Sequence, residues 1–253
     1  MSGATDSAGV PWAGRVLQSS PFAGDDGSTP PPVAAALAAW RDTPADALDE
    51  RLRAAVAVVS ALAGRRVFAP VVAVLGETEV VAAGPAGDKS ADMALAVMTR
   101  PDGRRALPLF TSLAALTAWR ADARPVPVPA ATAALAAAQE ECEAAVLDAA
   151  GPVRFVVPAA ALAALATEEA WRPAALDPAV HDAVDAALAG VPGVLRLRCG
   201  AGADAELRVS LGLAPGLDED ALAELTRQVG ERLAADGVVA ARVASLELRL
   251  LPA

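Results

Sequence analysis

Apolar residues recur at helical spacing over residues 46–63. Leu48, Leu52, Val56, Val59 and Ala63 share one stripe, while Glu50, Arg51 and Arg53 fall off it. Gly64 follows where a helix-ending glycine belongs. The period then shortens to apolar runs of strand length. Runs 67–75 and 78–83 are split by Gly76-Glu77, and runs 93–99 and 105–110 are joined by Pro101-Asp102-Gly103, a hairpin turn. Thr111 or Ser112 is placed to cap a helix whose Leu113, Leu116 and Trp119 face inward. A Pro-interrupted strand (125–128), a helix (132–149), a strand (153–157) and a short helix ending near Ala166 complete this half.

The second half is more regular. Asp177 caps a helix with Pro178 in its first turn, Val180, Val184 and Leu188 on one stripe, and Gly190 after it. Strands 194–199 and 206–213 flank Gly200-Ala201-Gly202. Asp218 caps a second helix carrying Leu222, Leu225, Val229 and Leu233, and strand 243–251 ends the run. Leu195 and Leu197, then Leu207, Val209, Leu211 and Leu213, then Leu246, Leu248 and Leu250 alternate onto one face. The pattern predicts an α+β protein of two α/β-layered domains. The N-terminal one has a mixed sheet; the C-terminal one is αββαβ, with its helices on one sheet face. The expected divisions are an extended strap (1–32), a first domain (33–166), a linker (167–176), and a second domain (177–253) whose core closes without the first.

The strap is rich in Gly, Ser, Asp and Pro, which argues for a tail. Yet it holds Trp12 and Phe22, in a chain with only four Trp, four Phe and no Tyr. Both are expected to anchor it to a folded surface.

Composition narrows the function classes. Lys and Arg total 21 against 31 Asp and Glu, for a net charge of −10. A generally basic, phosphate-neutralising surface does not fit this balance, so nucleic acid is not an expected partner. One His and two distant Cys do not make a structural zinc site, nor a disulfide scaffold. Mean hydropathy is +0.39, but uncharged stretches fall short of the roughly 20 residues a spanning helix needs. No basic and then apolar run opens the chain, so cytoplasm is the expected compartment and no membrane the expected setting. No cofactor is expected.

The candidate chemistry is sparse. Gly84-Pro85-Ala86-Gly87-Asp88-Lys89-Ser90 resembles a phosphate loop, but Asp88 separates Gly87 from Lys89 and a strand follows. His181 lies off its helix's apolar stripe and reads as solvent-facing. Cys142 follows Glu140-Glu141 on a helix, and Cys199 sits on an apolar strand face; neither has a neighbour that would make a thiolate. Asp25-Asp26 is too few ligands for calcium. Two groupings remain. Arg196, Arg198, Arg208 and Arg249, with Glu247, occupy the outward positions of the C-terminal sheet and form a cationic strip for an acidic partner or for the first domain. Arg104, Arg105, Thr111 and Ser112 would line an anion pocket between the domains, at a capped helix start.

The segment Ala91-Asp92-Met93-Ala94-Leu95-Ala96-Val97, through Asp102-Gly103-Arg104-Arg105-Ala106-Leu107-Pro108-Leu109-Phe110-Thr111-Ser112 to Trp119, resembles the N-terminal domain of the SseB family. Arg124-Pro125-Val126-Pro127-Val128 continues the likeness, and the αββαβ tail resembles the family's C-terminal domain. The lead Trp12-Ala13-Gly14-Arg15 and Pro21-Phe22-Ala23-Gly24-Asp25-Asp26-Gly27 resemble the form found in high-GC Gram-positive bacteria. The family name is attached to enhanced serine sensitivity and to a type III secretion translocon protein. The translocon role calls for membrane-inserting or coiled-coil segments, which this sequence does not show. The resemblance implies no catalytic residues. The expectation is a non-enzymatic protein-interaction or regulatory module with a protein partner. The rivals are a small-anion sensor, an amino acid being one such ligand, and an enzyme.

Overall fold

The computed structural model describes residues 22, 24–74 and 92–253. Helix α1 (Pro31–Asp42) and α2 (Leu48–Leu62) lead into strand β1 (Arg66–Val74). Gly64, at φ 66°, makes the turn between α2 and β1. The proline run that reads as the end of a tail starts α1 instead. Pro31 and Pro32 fall in its first turn, where no N–H is needed and φ is already helical.

Strand β1 is the centre of a three-stranded antiparallel sheet, between β2 (Asp92–Leu95) and β5 (Arg124–Pro129). The N–H of Ala130 donates toward β1, to Arg65 O. By alternation Pro125, Pro127 and Pro129 turn their missing N–H groups to the outer edge of β5. A second sheet runs β3 (Met98–Thr99), β4 (Arg105–Leu109), β6 (Ala144–Leu147), β7 (Phe155–Pro158). Its β3–β4 hairpin turns at Gly103, φ 84°. Its β4–β6 pair is parallel, the crossover carrying α3 (Leu113–Trp119), β5 and α4 (Ala130–Gln139). The two sheets meet where Phe68 and Phe110 exchange backbone hydrogen bonds of 2.7 and 2.9 Å.

Several sequence expectations shift here. The predicted strand 93–99 is two strands in two sheets. The predicted helix 132–149 stops at Gln139, because Glu141 enters the left-handed region at φ 54° and the chain re-enters as β6. The side chain of Leu113 is exposed and covers Gly27 instead of the core, whereas Leu116 is buried. The predicted strand 78–83, the Gly84–Ser90 loop and the Trp12 anchor lie outside the described residues.

The first core is unusually alanine-rich. Ala130, Ala133, Ala134 and Ala137 of α4 are buried beside Ala161, Leu162 and Leu165 of α5 (Ala159–Ala166). Small side chains let these two helices approach closely. Trp40 of α1 closes the far side, edge-on to Phe155 at 5.0 Å between ring centres.

The C-terminal half follows a single 3-10 turn, Ala174–Leu176. Helix α6 (Pro178–Leu188), β8 (Val194–Gly200), β9 (Leu207–Leu213), α7 (Glu219–Ala235), α8 (Gly237–Arg242) and β10 (Leu246–Pro252) form the sheet β10-β9-β8. Asp177, Asp218 and Asp236 cap α6, α7 and α8 through their side chains. Val180, Val184 and Leu188 of α6 and Leu225, Val229 and Leu233 of α7 bury one sheet face against Leu207, Val209 and Leu211. The strand alternation holds except at Leu195. A bulge between Val194 and Arg196 lets Val194 face the core and turns Leu195 outward, 61% exposed. The extra short α8 makes the order αββααβ. His181 is half-buried and not solvent-facing, its Nε2 lying 2.9 Å from Ala175 O.

Helix α2 serves both halves. Its Ala55, Val58, Val59 and Leu62 lie in the first core, while Leu48 and Leu52 pack against the second. The stripe read from the sequence mixes these two sets.

Candidate partner-binding face and a clamp in the first domain

All helices of the C-terminal half cover one sheet face; among the described residues the other is bordered by the first turn of α2 and is otherwise open. Across it the register pairs Arg208 with Glu247, and Ser210 with both Arg198 and Arg249; Gly212 pairs with Arg196. The centre strand therefore offers small residues, Ser210 and Gly212, between long cations on both edges. The result is a trough, and it continues into a cavity of about 600 Å³ bounded by the first turn of α2. Gly212 keeps this floor low: a Cβ there would sit 3.1 Å from Arg196 Cβ, and Arg196 would have to shift by a few tenths of an ångström.

The four arginines of the strip differ in charge balance. Arg208 Nε bonds Glu247 Oε1 at 2.5 Å, and that contact pulls the Glu247 carboxyl below its usual range. Arg198 lies 3.6 Å from Asp49 of α2, whose Oδ1 also accepts the Ala201 N–H at 2.7 Å. Gly200 gives Asp49 room: a Cβ there would lie 2.9 Å from its carboxylate. Arg196 and Arg249 are exposed and, among the described residues, have no carboxylate within 4.0 Å. The strip thus touches the first domain through Arg198 and keeps two cations open.

The second predicted grouping is not brought together. Arg104 pairs with Asp102 at 3.0 Å, and Arg105 with Glu140 at 3.1 Å and Glu141 at 3.9 Å, at the start of β4. Thr111 and Ser112 lie past its other end. Ser112 caps α3, accepting the Ala115 N–H at 3.1 Å. Thr111 is buried, and its donors already serve a carboxylate. Its N–H and Oγ1 donate to Asp148 at 2.8 and 2.7 Å.

That contact belongs to a clamp that no local motif announces. Arg66, 4% exposed, grips both oxygens of Asp25 at 2.7 Å each and donates to the carbonyls of Ser28 and Thr111. Its guanidinium stacks on Phe68, 4.2 Å from the ring centre. Thr29 Oγ1 reaches Thr111 Oγ1 at 2.8 Å, and Leu113 N–H donates to Gly27 O at 2.9 Å. The strap's last residues are thereby tied to the first domain, with Phe22 half-buried beside them. The Arg66 contact holds the Asp25 carboxyl below its ordinary range, whereas burial pushes Asp148 up.

Asp148→Asn tests that balance. The amide oxygen keeps the Thr111 N–H, and the amide N–H donates to Thr111 Oγ1, whose proton then turns to Thr29. Asp148 has a folded pKa above its ordinary 3.8. Its ionised form therefore weakens the fold as pH rises from about 4 through that raised value. The variant should match wild type within about 1 kcal/mol at neutral pH and lose this fall in denaturant titrations across pH. A loss of several kcal/mol at neutral pH would show that the negative charge itself is needed.

Both cysteines are held toward the thiol form. Burial pushes the Cys142 thiol up, and burial with a lesser push from Asp185 lifts Cys199 to about 11. Among the described residues, no three His, Cys, Asp or Glu side chains are grouped to hold a metal ion, and no helix is long and apolar enough to cross a membrane.

The chain matches the SseB protein N-terminal domain over residues 33–164, from the first buried residue of α1 to the last turn of α5. Comparison found no matching curated protein and no matching solved structure. The match spans just over half of the sequence and takes in α1, α2, both sheets of the first half and the Arg66 side of the clamp: the chain belongs to the SseB family.

Proposed function

We propose that the protein is a non-enzymatic interaction module and that the open face of its C-terminal sheet takes an extended acidic segment of a protein partner. We read the αββααβ half as the family's C-terminal domain and the working compartment as cytoplasm. The observation that carries the reading is the pair of unmatched arginines, Arg196 and Arg249, flanking a floor of Ser210 and Gly212. On a chain of net charge −10, a local cationic trough selects an anionic partner by contrast with its surroundings. The cations are spread over three strands about 4.8 Å apart, with Arg196 and Arg198 about 6.6 Å apart along β8. A small-anion site needs donors converging on one point; this spacing instead matches carboxylates on alternate residues of an extended chain.

The cavity's volume favours a second reading, a free amino-acid or other small anion held against the same arginines. Thermal-shift titrations separate the two. With a polyglutamate peptide the melting temperature should rise, and with free glutamate at equal carboxylate concentration it should stay put. A rise with free glutamate alone would favour the sensor, and no rise with either would remove both readings.

A further inference from the structure

We infer that strand β10 is a self-complementary edge through which two copies of this chain pair, joining their C-terminal sheets into one. This does not rest on the acidic-partner reading. It rests on the other side of β10, which among the described residues pairs with nothing.

The sheet has two edges, and they are not alike. The β8 edge is bulged between Val194 and Arg196, and its end is covered where Ala201 and Arg198 meet Asp49. Bulges and covers are among the devices that keep an edge from pairing. Strand β10 has neither. It runs in unbroken register with β9 from Leu246–Leu207 to Pro252–Leu213, and Arg249, Leu250 and Leu251 are exposed.

Backbone direction fixes which groups the edge offers. Ser245 O accepts from Leu207 N–H, and Ala253 N–H donates to Leu213 O, both toward β9. Backbone groups alternate sides along a strand. Leu246, Leu248 and Leu250 therefore present both N–H and C=O to the open side, and Pro252 has no N–H to present. An antiparallel partner strand would meet these three residues as closely bonded pairs, giving about six hydrogen bonds between chains.

Charge then selects the register. The strand reads Leu246-Glu247-Leu248-Arg249-Leu250. With Leu248 opposite the partner's Leu248, Glu247 faces the partner's Arg249, and the reverse, across the two-fold axis. These fall in the wide pairs, where side chains approach most closely. Sliding by two residues in one strand sets Glu247 against the partner's Glu247 in one direction, and Arg249 against the partner's Arg249 in the other. In the favoured register, exposed Leu250 packs on the partner's Leu246. Arg249 gains its missing carboxylate, and the two open faces become one surface with Arg196 as its unmatched cation on each side.

Sedimentation equilibrium over a concentration series, without any polyanion, tests this. Wild type should approach twice the 25.3 kDa chain mass. Arg249→Glu, which sets Glu against Glu twice, should weaken association by about tenfold or more. Glu247→Arg should do the same, and an equal mixture of the two variants should associate again, since every facing pair is then opposite in sign. Glu247→Arg also breaks the Arg208 bond, so hydrogen exchange on wild type gives an independent readout: the Leu248 and Leu250 amides should slow as concentration rises. A wild type that stays monomeric, or a dimer indifferent to Arg249→Glu, would overturn the inference.

Discussion

Replacing Asp25 with alanine should lower the unfolding free energy by about 2–3 kcal/mol. The cost comes from Arg66, whose side chain is 3% exposed and would lose its only carboxylate among the described residues. Two carbonyls would remain as acceptors, but carbonyls do not balance a buried charge. The pair itself need not stabilise much, because its desolvation offsets most of its attraction. Asp25→Ala with Arg66→Met should therefore recover a large part of the loss, a non-additivity that urea titrations of the four proteins would measure. The pH dependence has the opposite sign to that of Asp148. Asp25 has its folded pKa below the ordinary 3.8. Its contribution is fully present above about pH 4 and is lost as pH falls through the depressed value. An Asp25→Ala protein as stable as wild type at neutral pH would mean the clamp does not hold the strap.

Phe110→Ala should cost about 3–5 kcal/mol, a comparable loss by a different route. Phe110 is fully buried, its ring 5.3 Å from that of Trp119, and its backbone joins the two N-terminal sheets. Truncation leaves those backbone bonds and empties the space between Phe68, Leu116 and Ala123. The neighbours are a strand and a seven-residue helix held by its own cap, so the site has little freedom to collapse. Thermal unfolding followed at the tryptophans would read the loss. A change below about 1 kcal/mol would show that the sheets do not depend on this contact.

How much was legible in the sequence follows from where each signal lay. Helices α2, α6 and α7 and the strands of the second half were readable because a stripe or alternation met a capping or turn residue at its end. Strand β6 was not, since Ala144-Ala145-Val146-Leu147 has no strand-specific side chain until Val146 and follows an alanine-rich helix. Only the left-handed Glu141 separates them. Helix α1 was hidden because prolines punctuate loops more often than they open helices. The cationic strip was readable from period two alone, as every member lies on a strand. The clamp was not, because Asp25, Arg66, Thr111 and Asp148 come from four separate stretches, and no local pattern links a strap carboxylate to a strand 41 residues away. Nor did the sequence show that Asp49 would reach the strip, since that depends on α2 spanning both cores.

The proposed contact is an extended acidic chain on the open sheet face, held by its unmatched arginines. Its most direct measurement is the fluorescence anisotropy of a labelled polyglutamate peptide titrated with wild type and with Arg196→Glu. Arg196 is exposed and clear of both the clamp and the β10 edge, so its reversal leaves fold and pairing intact. Wild type should bind with an affinity that falls as salt rises, and Arg196→Glu should bind at least about tenfold more weakly. Equal binding by the two proteins would contradict the account.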